Sequence, residues 1–178
     1  EAAFTTGDGS NKPKGFLAYT STTETDSARA FGSLQHKLAA GTAAFTADEI
    51  KAMPFMLRAA YRRGASFMGN GNTFAQIMLL KDGNGQYLWT PGLEEGEAAR
   101  LCGYGYLENE AMPDMAANAK ALGFGNFKRG YTVVDRMGTR VLRDPLTNKP
   151  YVGFYTTKRV GGMVTDSNAI KLMQMAAS

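Results

Sequence analysis

A single cysteine, Cys102, and a single histidine, His36, set the first limits on this 178-residue sequence. One cysteine excludes an internal disulfide framework, and the pair together excludes a Cys/His zinc site. Most nucleophilic triads go with them, since His36 is the only imidazole available as a base. Proline is scarce at six residues, which rules out a Pro-rich linker, and no apolar run is long enough to span a bilayer. The N-terminus lacks a basic-then-apolar signal pattern, and it begins with Glu1, so a processed product or a fragment of a longer chain is expected. Glycine is the residue in excess. Its 21 copies amount to about 12%, against a usual ~7%, and imply many sharp turns between short elements. With 44% hydrophobic and 20% charged residues, the chain is no disordered segment; its length suits one domain with a real core.

The net charge of +4 is too mild to announce a nucleic-acid binder, but it is unevenly spread. Residues 65–127 hold three basic and seven acidic residues, among them Glu94, Glu95, Glu97, Glu108 and Glu110. Residues 128–159 hold eight basic residues, including Arg136, Arg140, Arg143, Lys158 and Arg159, against Asp135 and Asp144 alone. Three readings stand side by side. The stretches are solvated faces of different sign, or acidic and basic patches that meet on neighbouring copies, or the basic stretch serves an anionic partner.

The clearest helix signal covers 47–63. Thr46 and Glu49 match a capping box, Ile50, Met53, Leu57 and Tyr61 recur on one face, and Gly64 supplies the stop. Pro54 inside this pattern is expected to kink it or delay its start. A second helix is predicted over 73–81, capped by Asn72 and ended by Asp82-Gly83-Asn84-Gly85. Short strands are predicted at 16–19, 86–89, 100–107, 119–124, 131–136, 139–143 and 151–160. Residues 20–29 read as an exposed loop. The fold class is α+β.

Motifs that carry chemistry are missing. Gly7-Asp8-Gly9-Ser10-Asn11-Lys12 lacks the Gly-Lys-Ser/Thr ending of a phosphate loop. Gly69-Asn70-Gly71 and Gly103-Tyr104-Gly105 lack the third glycine of a dinucleotide fingerprint. Cys102 reads as a small buried hydrophobe in a strand, and His36, between Gln35 and Lys37, as a surface residue. The paired acids Glu108 and Glu110 read as solvated. No catalytic, cofactor-binding or metal-ligating residue is assigned.

The order of several segments carries more than any one of them. Gly7-Asp8-Gly9-Ser10-Asn11-Lys12-Pro13-Lys14-Gly15-Phe16-Leu17 is followed by Tyr61-Arg62-Arg63-Gly64-Ala65-Ser66-Phe67-Met68 and Leu80-Lys81-Asp82-Gly83-Asn84-Gly85-Gln86-Tyr87-Leu88-Trp89. Then come Glu110-Ala111-Met112-Pro113-Asp114, Phe124-Gly125-Asn126-Phe127-Lys128-Arg129-Gly130-Tyr131, Arg143-Asp144-Pro145, Phe154-Tyr155-Thr156-Thr157-Lys158-Arg159 and Ala169-Ile170-Lys171-Leu172. In this order they resemble the major capsid proteins of tailed bacteriophages, with the Hong Kong-phage-type fold. The nearest likeness is to capsid proteins of alphaproteobacterial prophages and gene transfer agents. Two departures are visible. The family's N-terminal arm, extended loop and most of its spine helix have no counterpart, and Gly-Tyr-Gly-Tyr at 103–106 replaces a more apolar strand.

The resemblance implies a non-enzymatic shell subunit that assembles with copies of itself into hexamers and pentamers of an icosahedral capsid. DNA would be enclosed without sequence-specific binding, and no membrane or cofactor is involved. The chain would reside in the virion, and in the bacterial cytoplasm before assembly. Residues 1–29 would hold the end of the spine helix and a peripheral-domain strand, 30–130 the axial domain, and 131–178 peripheral-domain strands and the C-terminal segment. Glu94, Glu95, Glu97, Arg136, Arg140, Arg143, Lys158 and Arg159 are the candidate intersubunit contacts. The alternatives are a shell protein of a bacterial nanocompartment and a small hydrolase or nucleotide-binding enzyme using Asp135, Asp144 or the glycine turns.

Overall fold

The computed structural model describes residues 1–89 and 100–177. Its centre is a mixed sheet in the order β1-β2-β9-β6-β3-β5-β4, built from Ser21–Thr22 (β1), Leu34–Leu38 (β2), Ser66–Gly69 (β3), Arg100–Leu101 (β4), Tyr104–Glu108 (β5), Leu122–Gly125 (β6) and Ile170–Gln174 (β9). The last strand in the chain therefore sits in the middle of the sheet, parallel to β2 and antiparallel to β6. Strand residues alternate between faces, which gives two cores. Phe67, Phe124, Leu122 and Met173 pack with Ile50, Met53, Leu57, Phe74 and Ile77 on one side. Ile170 and Leu172 pack with Phe16, Leu34 and Met112 on the other.

Helices Ala47–Met56 (α2) and Gly71–Met78 (α4) supply the cover for the first core. Thr46 caps α2 as predicted: its hydroxyl accepts from the Glu49 amide, and the Glu49 carboxylate accepts from the Thr46 amide at 2.8 Å. The same carboxylate accepts from the Ala40 amide at 2.6 Å. Burial opposes ionisation of Glu49, but the Thr46 and Ala40 amides outweigh it and hold the carboxyl below its ordinary value.

Several expectations are corrected. The 47–63 pattern is two helices, because the chain turns extended at Leu57 and Arg58 before Ala59–Arg62 (α3). The apolar period survives the break because Leu57 still points into the core, fully buried. The cap of α4 is Asn70 rather than Asn72, and the helix spans 71–78. Residues 16–18 form a 3₁₀ turn, not a strand. Positive φ at Cys102 and Gly103 splits 100–107 into the β4–β5 hairpin and leaves Cys102 exposed, not buried. Residues 86–89 contribute only the Lys81–Tyr87 bridge. The two predicted strands at 131–136 and 139–143 are one, Tyr131–Asp144 (β7), irregular around Arg136 and Gly138 and paired with Gly153–Val164 (β8).

The loop at 20–29 is also better anchored than its composition suggested. Asp26 accepts from Arg29 at 2.8 Å and from Lys171 of β9, with Arg58 at 3.6 Å. Lys171 is completely buried in the central strand, and Arg29 is buried too. One carboxylate thus ties the loop, α3's entry and the sheet's middle together.

Candidate functional site

The short helix Ala2–Thr6 (α1) organises the surface around the glycine turn that follows it. On one side the Phe4 ring meets Tyr131 edge-on at 6.2 Å, at the foot of β7. The turn closes through the Gly15 amide, which donates to the Gly7 carbonyl at 2.8 Å. It docks on β8 through the Lys14 amide, which donates to the Gly162 carbonyl at 3.0 Å. The Tyr131 hydroxyl donates to the Lys14 carbonyl at 2.9 Å.

This docking creates a groove of about 770 Å³ between the turn and the ribbon, lined by Pro13, Val134 and Val160 and by Lys12, Arg136, Lys158 and Arg159. Asp8 lies 3.5 Å from Lys12, and Asp135 lies 3.2 Å from Lys158. No carboxylate among the described residues forms an ion pair with Arg136 or Arg159.

The structure therefore brings together three of the predicted contact residues, Arg136, Lys158 and Arg159. Arg140 and Arg143 lie further along the ribbon, opposite Thr157 and Phe154. Glu94, Glu95 and Glu97 lie outside the described residues. Lys12 joins the groove although it is not among the candidate contacts; its segment was weighed as a phosphate loop and as the first motif of the family resemblance. Its usable signal was the charge of Lys12 and Lys14 inside that turn.

The residues screened for chemistry are scattered. His36 is half-buried, correcting its expected surface position, and its Nδ1 has no hydrogen-bond partner. Burial and the nearby Lys120 cation both push its pKa down. Partial desolvation raises the Cys102 thiol, which disfavours the thiolate a nucleophile needs. Among the described residues no three His, Cys, Asp or Glu side chains cluster as metal ligands. No described helix is long and apolar enough to cross a membrane.

The remaining notable surface is the β7–β8 ribbon. It is a two-stranded sheet of its own, exposed along most of both strands. Val133, Val141, Leu142, Phe154 and Tyr155 are all more than half exposed. A surface with this much apolar area, rimmed by cations, marks contact with another macromolecule more readily than chemistry.

Comparison with known proteins gives a consistent answer. The model of the Phage capsid family matches residues 1–175. The structure of the capsid of an empty GTA particle, computed with C5 symmetry, is 46% identical with a TM-score of 0.89, covering 99% of this chain and 60% of that one. The capsid of the native GTA particle matches with the same identity and coverage and a TM-score of 0.90. A chain from Mycobacterium phage Patience shares the fold at 15% identity and a TM-score of 0.53, over 80% of this chain and 45% of that one. No curated protein matches. The chain thus spans about 60% of the length of the GTA capsid chains.

Proposed function

Because the chain belongs to the phage capsid family, we propose that it is the C-terminal part of a structural shell subunit of a gene transfer agent or related phage. The observation that carries this reading is the 46% identity to GTA capsid chains across 99% of the sequence, at a TM-score of 0.89. In this reading copies of the subunit form the hexamers and pentamers of an icosahedral shell. The shell encloses DNA without reading its sequence, and the subunit is made in the bacterial cytoplasm before entering the particle. It works by packing, not by turnover.

The β7–β8 ribbon and residues 1–19 form the peripheral part, and the seven-stranded sheet with α2 and α4 forms the axial part. Strand β9 thereby joins the axial sheet although it follows the ribbon in sequence. The basic ribbon acts between subunits, with DNA a secondary partner at most. Its cations are interleaved with Val133, Val134, Val141 and Phe154, as befits an interface with an apolar centre and a charged rim.

Electron microscopy of the complete subunit tests the reading. Closed shells or capsomer rings are the expected product. A subunit that stays monomeric under all assembly conditions overturns it.

A further inference from the structure

We infer that the groove between the glycine turn and the ribbon receives the acidic segment 108–114 of a second copy, the end of β5 and the loop after it, in a head-to-tail contact. The inference rests on the shell-subunit reading and names the surfaces that reading leaves open. The groove presents four cations, Lys12, Arg136, Lys158 and Arg159, against the two carboxylates already paired there. Its lining includes Pro13, Val134 and Val160, apolar side chains that a peptide segment can cover and a phosphate backbone cannot.

The complementary charge lies on another face of α1. Phe4 faces the ribbon, while the neighbouring Thr5 accepts a 2.8 Å hydrogen bond from the buried Asn109 side chain. Adjacent helical residues diverge by about 100°, so the 108–114 segment and the ribbon flank different sides of the helix. Glu108, Glu110 and Asp114 on this segment are exposed, and none forms an ion pair among the described residues. The loop is held rigidly for docking. The Asn109 amide donates to the Gly69 carbonyl at 2.8 Å, and the Asn70 side chain donates to the Met112 carbonyl at 3.2 Å. Such preorganisation lowers the ordering cost of association. A basic surface on one face and an acidic one on another suit a heterologous, head-to-tail contact between copies.

The test uses complete subunits assembled from an equal mixture of ¹⁴N- and ¹⁵N-labelled protein, treated with a carbodiimide that joins contacting carboxylates and lysines. Mass spectrometry is expected to find mixed-isotope links from Lys12 or Lys158 to Glu108, Glu110 or Asp114. Their yield is expected to fall about tenfold in Arg136→Glu/Arg159→Glu; mixing in Glu108→Lys/Glu110→Lys subunits is expected to restore the contact through new interchain links joining positions 136 or 159 to 108 or 110. Assembled particles whose groove lysines link only to other carboxylates overturn this inference and leave the shell reading standing. So does a short DNA duplex that protects Lys12 and Lys158 from modification when a second copy does not. Assembled particles with no interchain link at the groove lysines likewise overturn only the inference, whereas absence of any assembly overturns both.

Discussion

Asp26 concentrates more structural consequence than any other single side chain described here. Burial alone would raise its pKa, but hydrogen bonds from Lys171 and Arg29 outweigh that and hold the carboxyl below its ordinary 3.8. A carboxylate depressed by folding contributes stability that is complete above its unfolded value and disappears as the pH falls through the lower folded value. Acid titration of the wild type is therefore expected to lose part of its stability below about pH 4. Asp26→Asn is expected to lose that part of the pH dependence. It should also cost about 3 kcal/mol at neutral pH, because Lys171 and Arg29 are left buried without their anion. Denaturant melts across pH check both. Gly125 offers a steric counterpart: an added Cβ would lie 2.2 Å from the Ala169 carbonyl oxygen, where backbone must move. Gly125→Ala is expected to destabilise by roughly 1–3 kcal/mol in the same melts. Neither role was legible from residue type. Asp26 sat in a run of Thr, Ser and Asp that reads as solvated, and its partner Lys171 lies 145 positions away.

Among the elements, α2 gives the sharpest contrast between neighbouring positions. Leu57 is fully buried at its end, whereas Phe55 is 74% exposed. Leu57→Ala is expected to cost about 2–4 kcal/mol, and Phe55→Ala under about 0.5 kcal/mol. Equal losses in urea melts would contradict the packing. The capping box and the apolar period of α2 were readable because both are local. Among the central strands β6 was anticipated by the strand predicted at 119–124, but β9 and β2 were not. Strand β9, Ile-Lys-Leu-Met-Gln, is covered on both faces and so shows no alternation, and its lysine hides the burial that Asp26 permits. Strand β2 carries Gln35, His36 and Lys37 in succession, which conceals its place beside β9 in the sheet. The ribbon was legible as strand but not as one continuous strand, since Gly138 looks like a boundary where the structure has a bulge. For the groove, excess charge on 128–159 pointed to Arg136, Lys158 and Arg159; the contribution of Lys12 depends on a docking between segments far apart in sequence.

At the scale of the whole molecule, the compact sheet and the exposed ribbon are expected to differ in stability. A two-stranded ribbon has little stability of its own in water. Amide hydrogens of β7 and β8 beyond their feet are expected to exchange far faster than those of β6 and β9 in free subunits, and to slow on assembly. Hydrogen-exchange mass spectrometry reads both states, and equal protection in the free subunit would refute the distinction. Reversing Arg136, Arg140 and Arg143 to Glu is expected to block shell formation while the core keeps its melting transition; sedimentation and calorimetry separate these effects. The central position of β9 reaches further, into biosynthesis. Before the last strand is translated, β2 with β1 and β6 with β3, β5 and β4 are two partial sheets with no shared hydrogen bonds. Their joining piece also carries Lys171, the counterion Asp26 awaits. Removing residues 170–174 is therefore expected to unjoin the whole sheet and leave Asp26 without Lys171, not merely to fray one end.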